Sequence, residues 1–254
     1  MEETTKQIGS IPEVSNLAQG DMIVSLNAAG AGQRISPDNL KTAMIGSINL
    51  NAIEDGIFIM FHRKSDNYPL MVKPHKWTSY QSSGEVAEGV VVVEGGKCLV
   101  VAPTESTTKL LWSSAAVSGG GFTTADRVAA IADWAGKANT TAQMTKSECN
   151  TVSYAPGFCG AYSRVNANGN GLTAGKWWLP STGEMMLIYA NMLKINYALS
   201  LISGATQLVE DVYWTSTENS ATYAWSLYLN SGGMGYHTKS SNSYRVRAVS
   251  AFIS

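Results

Sequence analysis

The chain has 254 residues, 44% of them hydrophobic, enough for one large domain or two modest ones that bury roughly three-quarters of the unfolded surface. Its 18 basic and 19 acidic residues cancel to a formal charge of -1, which excludes both the basic surface a nucleic-acid backbone demands and wholesale disorder. Charged residues make up only 15% of the chain, against about 25% in a typical soluble domain, so uncharged polar groups must cover the surface.

Met1-Glu2-Glu3-Thr4-Thr5-Lys6 lacks the pattern of a secretory signal, and no apolar run approaches the ~20 residues of a membrane helix. The expectation is a chain made in a cytoplasm, without membrane insertion. Short apolar stretches broken by turn formers follow: a strand over 21–26, a turn at Ala29-Gly30-Ala31-Gly32, and a helix start with Ser36 as N-cap and Pro37 at the first position. Runs rich in β-branched residues predict strands over 56–62, 70–73, 89–93 and 97–102.

Past residue 113 the composition shifts. Ser118-Gly119-Gly120-Gly121 reads as a turn rather than a phosphate loop, because no Lys-Ser/Thr follows it. Residues 124–135 predict a helix that buries Val128, Ile131 and Ala135 on one face. Asn166-Ala167-Asn168-Gly169-Asn170-Gly171 supplies amides where a calcium loop needs carboxylates, and is read as a turn. Ser181 and Glu184 stand in capping-box spacing ahead of a helix through Met185, Leu187, Ile188 and Met192, which continues after a break to Ala198, Leu199 and Ile202. The last 45 residues read as strands over 212–216, 223–230, 235–238 and 244–249. Cys98, Cys149 and Cys159 form no CxxC pair and are read as buried free thiols, with a Cys149–Cys159 bridge as the alternative.

The candidate ligand-binding residues are Asn219, Ser220, Thr222, Tyr223, Ser226, Tyr228, Asn230, Ser231, Tyr236, His237, Thr238, Ser240, Ser241, Asn242 and Tyr244. Lys239 is the only formal charge between Asn219 and Tyr244. Tyrosines give large contact area at low entropy cost, and Ser, Gly and Asn give adaptable hydrogen bonding, which is the chemistry of recognition surfaces. Strand alternation predicts Trp225, Leu227 and Leu229 on the core face and Ser226, Tyr228 and Asn230 on the open one. Tyr223, Tyr228, Tyr236 and Tyr244 are the expected anchors. A solvated strand edge made soluble by hydroxyls and amides is the competing reading.

Trp177-Trp178-Leu179-Pro180-Ser181-Thr182-Gly183-Glu184, Tyr213-Trp214-Thr215-Ser216-Thr217-Glu218, Ala224-Trp225 and Arg245-Val246-Arg247 stand in order. They resemble the signatures of DUF1566-type domains, which are similar to the C-type lectin-like fold of formylglycine-generating enzymes. The resemblance covers residues 89–254 and implies an α+β, C-type lectin-like domain over 84–254, behind a small β-rich region over 1–83 for virion attachment or oligomerisation. The hydroxyl-rich segment 219–244 is similar to the variable segments of diversity-generating retroelement proteins. There, randomised adenines reach residues such as Asn, Ser, Thr, Tyr and His, while Trp225, Met234 and Lys239 would be fixed. Residues 11–45 are similar in style to attachment segments of phage tail proteins.

These resemblances imply a non-enzymatic receptor binder on a phage tail, facing a host cell-surface protein or glycan and touching other virion proteins, as a homo-oligomer and plausibly a trimer. A bacterial surface adhesin or pilus-tip protein of the same fold is the alternative. A formylglycine-type oxidase needs a C-terminal cysteine pair, and the last cysteine here is Cys159. No cofactor, metal, catalytic residue or nucleic acid is expected. The calcium-lectin motifs EPN, QPD and WND are absent.

Overall fold

A computed structural model describes the backbone of residues 23–26 and 32–35 and the whole of residues 54–252. Contacts divide the chain into two units, Met1–Ala52 and Ile53–Ser254. In the first unit, β1 (Ile23–Leu26) and β2 (Gly32–Ile35) pair antiparallel, with Leu26 opposite Gly32; the turn expected between them lies outside the described residues. The helix start at Ser36-Pro37 lies outside the described residues.

In the second unit, β3 (Gly56–His62), β4 (Pro69–Val72), β5 (Gly89–Glu94) and β6 (Lys97–Val101) form an antiparallel sheet in the order β4-β3-β5-β6. The final short strand of the chain, β14 (Val249–Ser250), closes its other edge against β6. The run Val90-Val91-Val92-Val93 is buried on both faces, which is why it reads as continuous rather than alternating. The boundary expected between residues 83 and 84 therefore falls inside one unit, because β3 and β5 are paired neighbours in the same sheet.

One face of the sheet presents Ile59, Phe61, Val90, Val92, Leu99 and Val101 to the core. Helices α5 (Thr182–Ala190) and α6 (Met192–Ser200), separated at Asn191, bring Met185, Ile188, Ile195 and Leu199 to that core, joined by Tyr213 and Leu227 from a second sheet. The other helices are short: α1 (Trp77–Ser82), α2 (Arg127–Ile131), α3 (Gly136–Gln143) and α4 (Ala155–Ala161). Two small antiparallel pairs complete the unit, the hairpin of β8 (Arg164–Val165) with β9 (Gly171–Leu172) and the long-range pair of β7 (Leu110–Leu111) with β13 (Ser243–Tyr244). The turn between β8 and β9 is the asparagine-rich loop, whose amides donate to the carbonyls of His62 and Lys64.

The helix expected over 124–135 breaks into α2 and a turn. Asp126 caps α2 by accepting from the N–H groups of Val128 and Ala129, and Asp133 then takes the Ala135 N–H at 2.9 Å. Asp133 is itself held by Asn139 at 2.9 Å and Thr217 at 2.7 Å, and these buried bonds outcompete helix continuation. The face expected to be buried is open: Val128 is 76% and Ile131 38% exposed, and α2 buries Ala130 instead. All three cysteines are free thiols, so the alternative bridge does not form; Cys149 and Cys159 are buried and Cys98 half-buried.

The capping box at α5 forms as expected, but in the interior. The Glu184 carboxylate accepts from the Ser181 N–H at 2.8 Å and from the Trp178 indole at 3.1 Å. Burial pushes its pKa up to about 7 against these bonds. A carboxyl that holds its proton more tightly when folded favours the folded state most at low pH. That contribution is complete below the ordinary value near 4.5 and is lost as pH rises through about 7. Relative to Glu184→Gln, the native chain should therefore lose stability on the order of 3 kcal/mol between pH 4.5 and 8. Urea denaturation of both proteins across that range checks it, and parallel pH profiles would refute it.

Candidate functional site

The hydroxyl-rich segment lies on a second antiparallel sheet of β10 (Val212–Glu218), β11 (Tyr223–Tyr228) and β12 (Gly233–Thr238). Residues 122–124 run alongside the end of β10, where Glu218 N–H donates to Phe122 and Thr124 N–H donates to Glu218, both at 2.9 Å.

One buried ion pair fixes this end of the sheet. Lys239 and Glu218 are both fully buried, with Nζ 2.5 Å from Oε2. The ammonium also donates to the carbonyls of Val117, Ser220 and Ala221 at 2.9 to 3.0 Å and sits 4.6 Å from the centre of the Trp112 ring. The carboxylate accepts from the N–H groups of Gly119 at 2.8 Å and Gly121 at 2.9 Å. The glycine run thus holds an anion, but the anion is the protein's own Glu218. A Cβ at Gly119 would meet the Trp112 ring at 2.7 Å and the Glu218 carboxylate at 2.9 Å, so the loop can close only on glycine. Burial draws the Lys239 ammonium below its ordinary pKa, with Glu218 pulling the other way.

Directly paired residues on adjacent strands share a face, and the register divides the expected site in two. Trp225 pairs with Tyr236, while Ser226 pairs with Gly235 and Ala224 with His237. On one face Tyr223, Trp225 and Tyr236 pack edge to face, with ring centres 5.5 to 5.7 Å apart; Tyr223 is 38% and Tyr236 55% exposed. On the other face, His237 packs on Tyr244 at 4.8 Å and on Trp214 at 6.4 Å, and its Nε2 lies 3.0 Å from the Tyr228 hydroxyl. A Cβ at Gly235 would meet His237 Nε2 at 2.8 Å and the Tyr228 ring at 2.9 Å, so the glycine makes room for that contact. Partial burial lowers the His237 pKa and raises that of Tyr244, in each case favouring the neutral form.

The four tyrosines expected to act as one anchor set are therefore split between opposite faces, Tyr223 and Tyr236 on one and Tyr228 and Tyr244 on the other. The open face expected at Ser226 is also closed. Ser226 is fully buried opposite Trp214, which covers it while donating its indole N–H to Leu110. The remaining candidates are accessible: Asn230, Ser231 and Ser241 are exposed like Tyr223 and Tyr236, and Asn219, Ser220, Thr222, Tyr228, His237, Thr238, Ser240, Asn242 and Tyr244 are half-buried.

The four sequence signatures are internal except at Arg245, which is half-buried. Every residue from Tyr213 to Glu218 is buried, and Arg247, fully buried, donates to Glu105 and to the carbonyls of Ala102, Thr206 and Gln207. Their spacing carries no hint of this, but the concentration of Thr and Ser beside Trp is the mark of a hydrogen-bonded interior. A family model described as the Lcl C-terminal domain matches residues 102–250. The chain belongs to that family. No curated protein matches the chain. Among solved structures, a fimbrial protein from Bacteroides ovatus ATCC 8483 is similar at 15% sequence identity and a TM-score of 0.44, over 60% of this chain and 35% of that one. No helix of the described residues is long and apolar enough to cross a membrane.

In this Lcl C-terminal domain the Lys239–Glu218 pair joins the surface segment to the buried strand β10. Replacing Lys239 by Met strands the Glu218 carboxylate and should cost about 3 to 5 kcal/mol. The double variant Lys239→Met/Glu218→Gln should recover a large part of that loss. Chemical denaturation of the two variants checks this, and equal losses would show that the pair does not act as a unit.

Proposed function

We propose that this chain is a non-enzymatic receptor-binding protein that engages its partner through residues 219–244. Its architecture is C-type lectin-like, and the segment is open to diversification as in retroelement variable proteins. The supporting observation is how the segment divides between interior and surface. Trp225 and Lys239, which adenine randomisation would leave fixed, are buried, and Met234 packs on the core. Of the Asn, Ser, Thr, Tyr and His residues that such randomisation would reach, all but Ser226 are accessible, while Ala224, also reachable, is buried. Substitution at accessible positions typically changes stability by no more than about 0.5 kcal/mol, so such a segment can vary while the fold persists.

Tyr223 and Tyr236 are the leading anchors, because they combine exposure with edge-to-face support from buried Trp225. Tyr228, His237 and Tyr244 form a second, shallower contact on the opposite face. In this reading the chain sits on a phage tail and meets a protein or glycan of the host surface, with the N-terminal unit serving attachment or homo-oligomer formation. A cell-surface adhesin uses the same binding face, and locating the chain by antibody in purified virions or on cells separates the two.

Tyr223→Ala/Tyr236→Ala should weaken attachment of the fluorescently labelled full chain to bacterial cells by at least about tenfold in flow cytometry. The thermal midpoint should move by no more than about 2 °C. A large fall in the midpoint would instead assign both rings to the core. Sequencing of the flanking DNA should show a near-identical copy of the 3′ end, differing at adenines, beside a reverse transcriptase gene; its absence would remove the diversification reading.

A further inference from the structure

We propose that the contact built on Tyr228, His237 and Tyr244 is gated by pH: the partner is held against a neutral His237 ring and released when that ring is protonated. The inference rests on the receptor reading of residues 219–244 and adds its regulation. With Lys239 buried against Glu218, no formal charge is left on that surface, and His237 is the one group in it whose ordinary titration falls between pH 5 and 8. The fold makes room for this ring. Gly233, Gly235 and His237 share one face of β12, and the imidazole lies back over Gly235 to reach the Tyr228 hydroxyl at 3.0 Å. A Cβ at Gly235 would close that space, meeting Nε2 at 2.8 Å. Tyr244, with its ring centre at 4.8 Å, and Trp214, at 6.4 Å, wall in the imidazole, which stays half-buried and open to a partner.

No carboxylate waits for a proton on the ring. Tyr228 of β11 and Tyr244 of β13 are the titratable groups that face it, phenols that carry no charge in this range, and β10 contributes the neutral Trp214. The charges on or beside these elements are ion-paired with one another: Glu218 with Lys239, Arg245 with Glu105 and Asp211, and Lys109 with Asp211. Burial accordingly draws the His237 pKa below its ordinary value of 6.5 with no neighbouring charge to oppose it. With its proton on Nδ1 the neutral ring accepts from the Tyr228 hydroxyl, whereas the protonated ring donates at both nitrogens. Protonation therefore reverses that bond and adds a charge that nothing balances. A partner packed on this face removes the remaining water from the ring, which penalises the charged form further, so proton and partner compete. Because the pKa is lower in the complex than in the free chain, affinity is complete above the free-chain value and is lost as pH falls through it.

The test is flow cytometry of the fluorescently labelled full chain on bacterial cells at pH 8 and at pH 5. The native chain should attach about tenfold more weakly at pH 5, the loss produced by a pKa one unit lower in the complex. His237→Gln, whose amide keeps hydrogen-bonding capacity but takes up no proton, should attach equally at the two pH values. Thermal midpoints at both pH values establish that both chains are folded. A second readout needs no partner. In NMR of the full chain with labelled imidazoles, the resonance missing from His237→Gln should titrate below pH 6.5, and Tyr228→Phe, which removes the hydroxyl donor, should move its midpoint upward. The same pH dependence in His237→Gln as in the native chain, or tighter attachment of the native chain at pH 5, overturns the gate and leaves the receptor reading standing. A His237 midpoint that Tyr228→Phe does not move does the same. Lack of attachment at both pH values overturns the receptor reading, and the gate with it.

Discussion

The surface segment depends on one buried ion pair. Taking Lys239 and Glu218 out of water costs several kcal/mol per ion, and their mutual attraction offsets this only when the remaining donors and acceptors are also satisfied. Here they are: three carbonyls and an indole face complete the ammonium, and two glycine N–H groups complete the carboxylate. Those partners come from Trp112, from residues 117–121 and 220–221 and from the ends of β10 and β12, so the pair is satisfied only when all these segments are in place. An apolar pair of similar volume could be as stable, but it would not require this arrangement. The interaction acts as a condition on geometry more than as a source of stability.

A second network meets the first along β10. Thr217 donates to Asp133, Thr182 N–H donates to Thr217, and Thr215 donates to the Trp225 carbonyl, so the threonines of this strand tie α5 and the 133–135 turn to the sheet. The low charge of the chain follows in part from this construction. Hydroxyls and amides do inside the domain what ion pairs commonly do at surfaces, and the two cations that enter the interior, Lys239 and Arg247, are ion-paired.

The strands were legible because their signal is local. The run Gly89-Val90-Val91-Val92-Val93 and the alternation through Trp225 need only period and propensity, and the capping box needs only Ser181 and Glu184 three residues apart. What stayed hidden depended on partners distant in sequence. The helix over 124–135 fails because Thr217 claims Asp133, and Ser226 is closed by Trp214 from the neighbouring strand. The glycine run is a turn, as its composition suggests, but the anion it holds comes from Glu218, about a hundred residues away. Of the candidate site, residue types were readable and faces were not, because the pairing of Trp225 with Tyr236 sends Tyr236 and His237 to opposite sides.

Burial of Lys239 has a consequence for recognition. With its only charge turned inward, the surface of residues 219–244 carries no formal charge, so long-range fields from the segment itself cannot steer a partner to it, and discrimination must come from shape, aromatic contact and short hydrogen bonds.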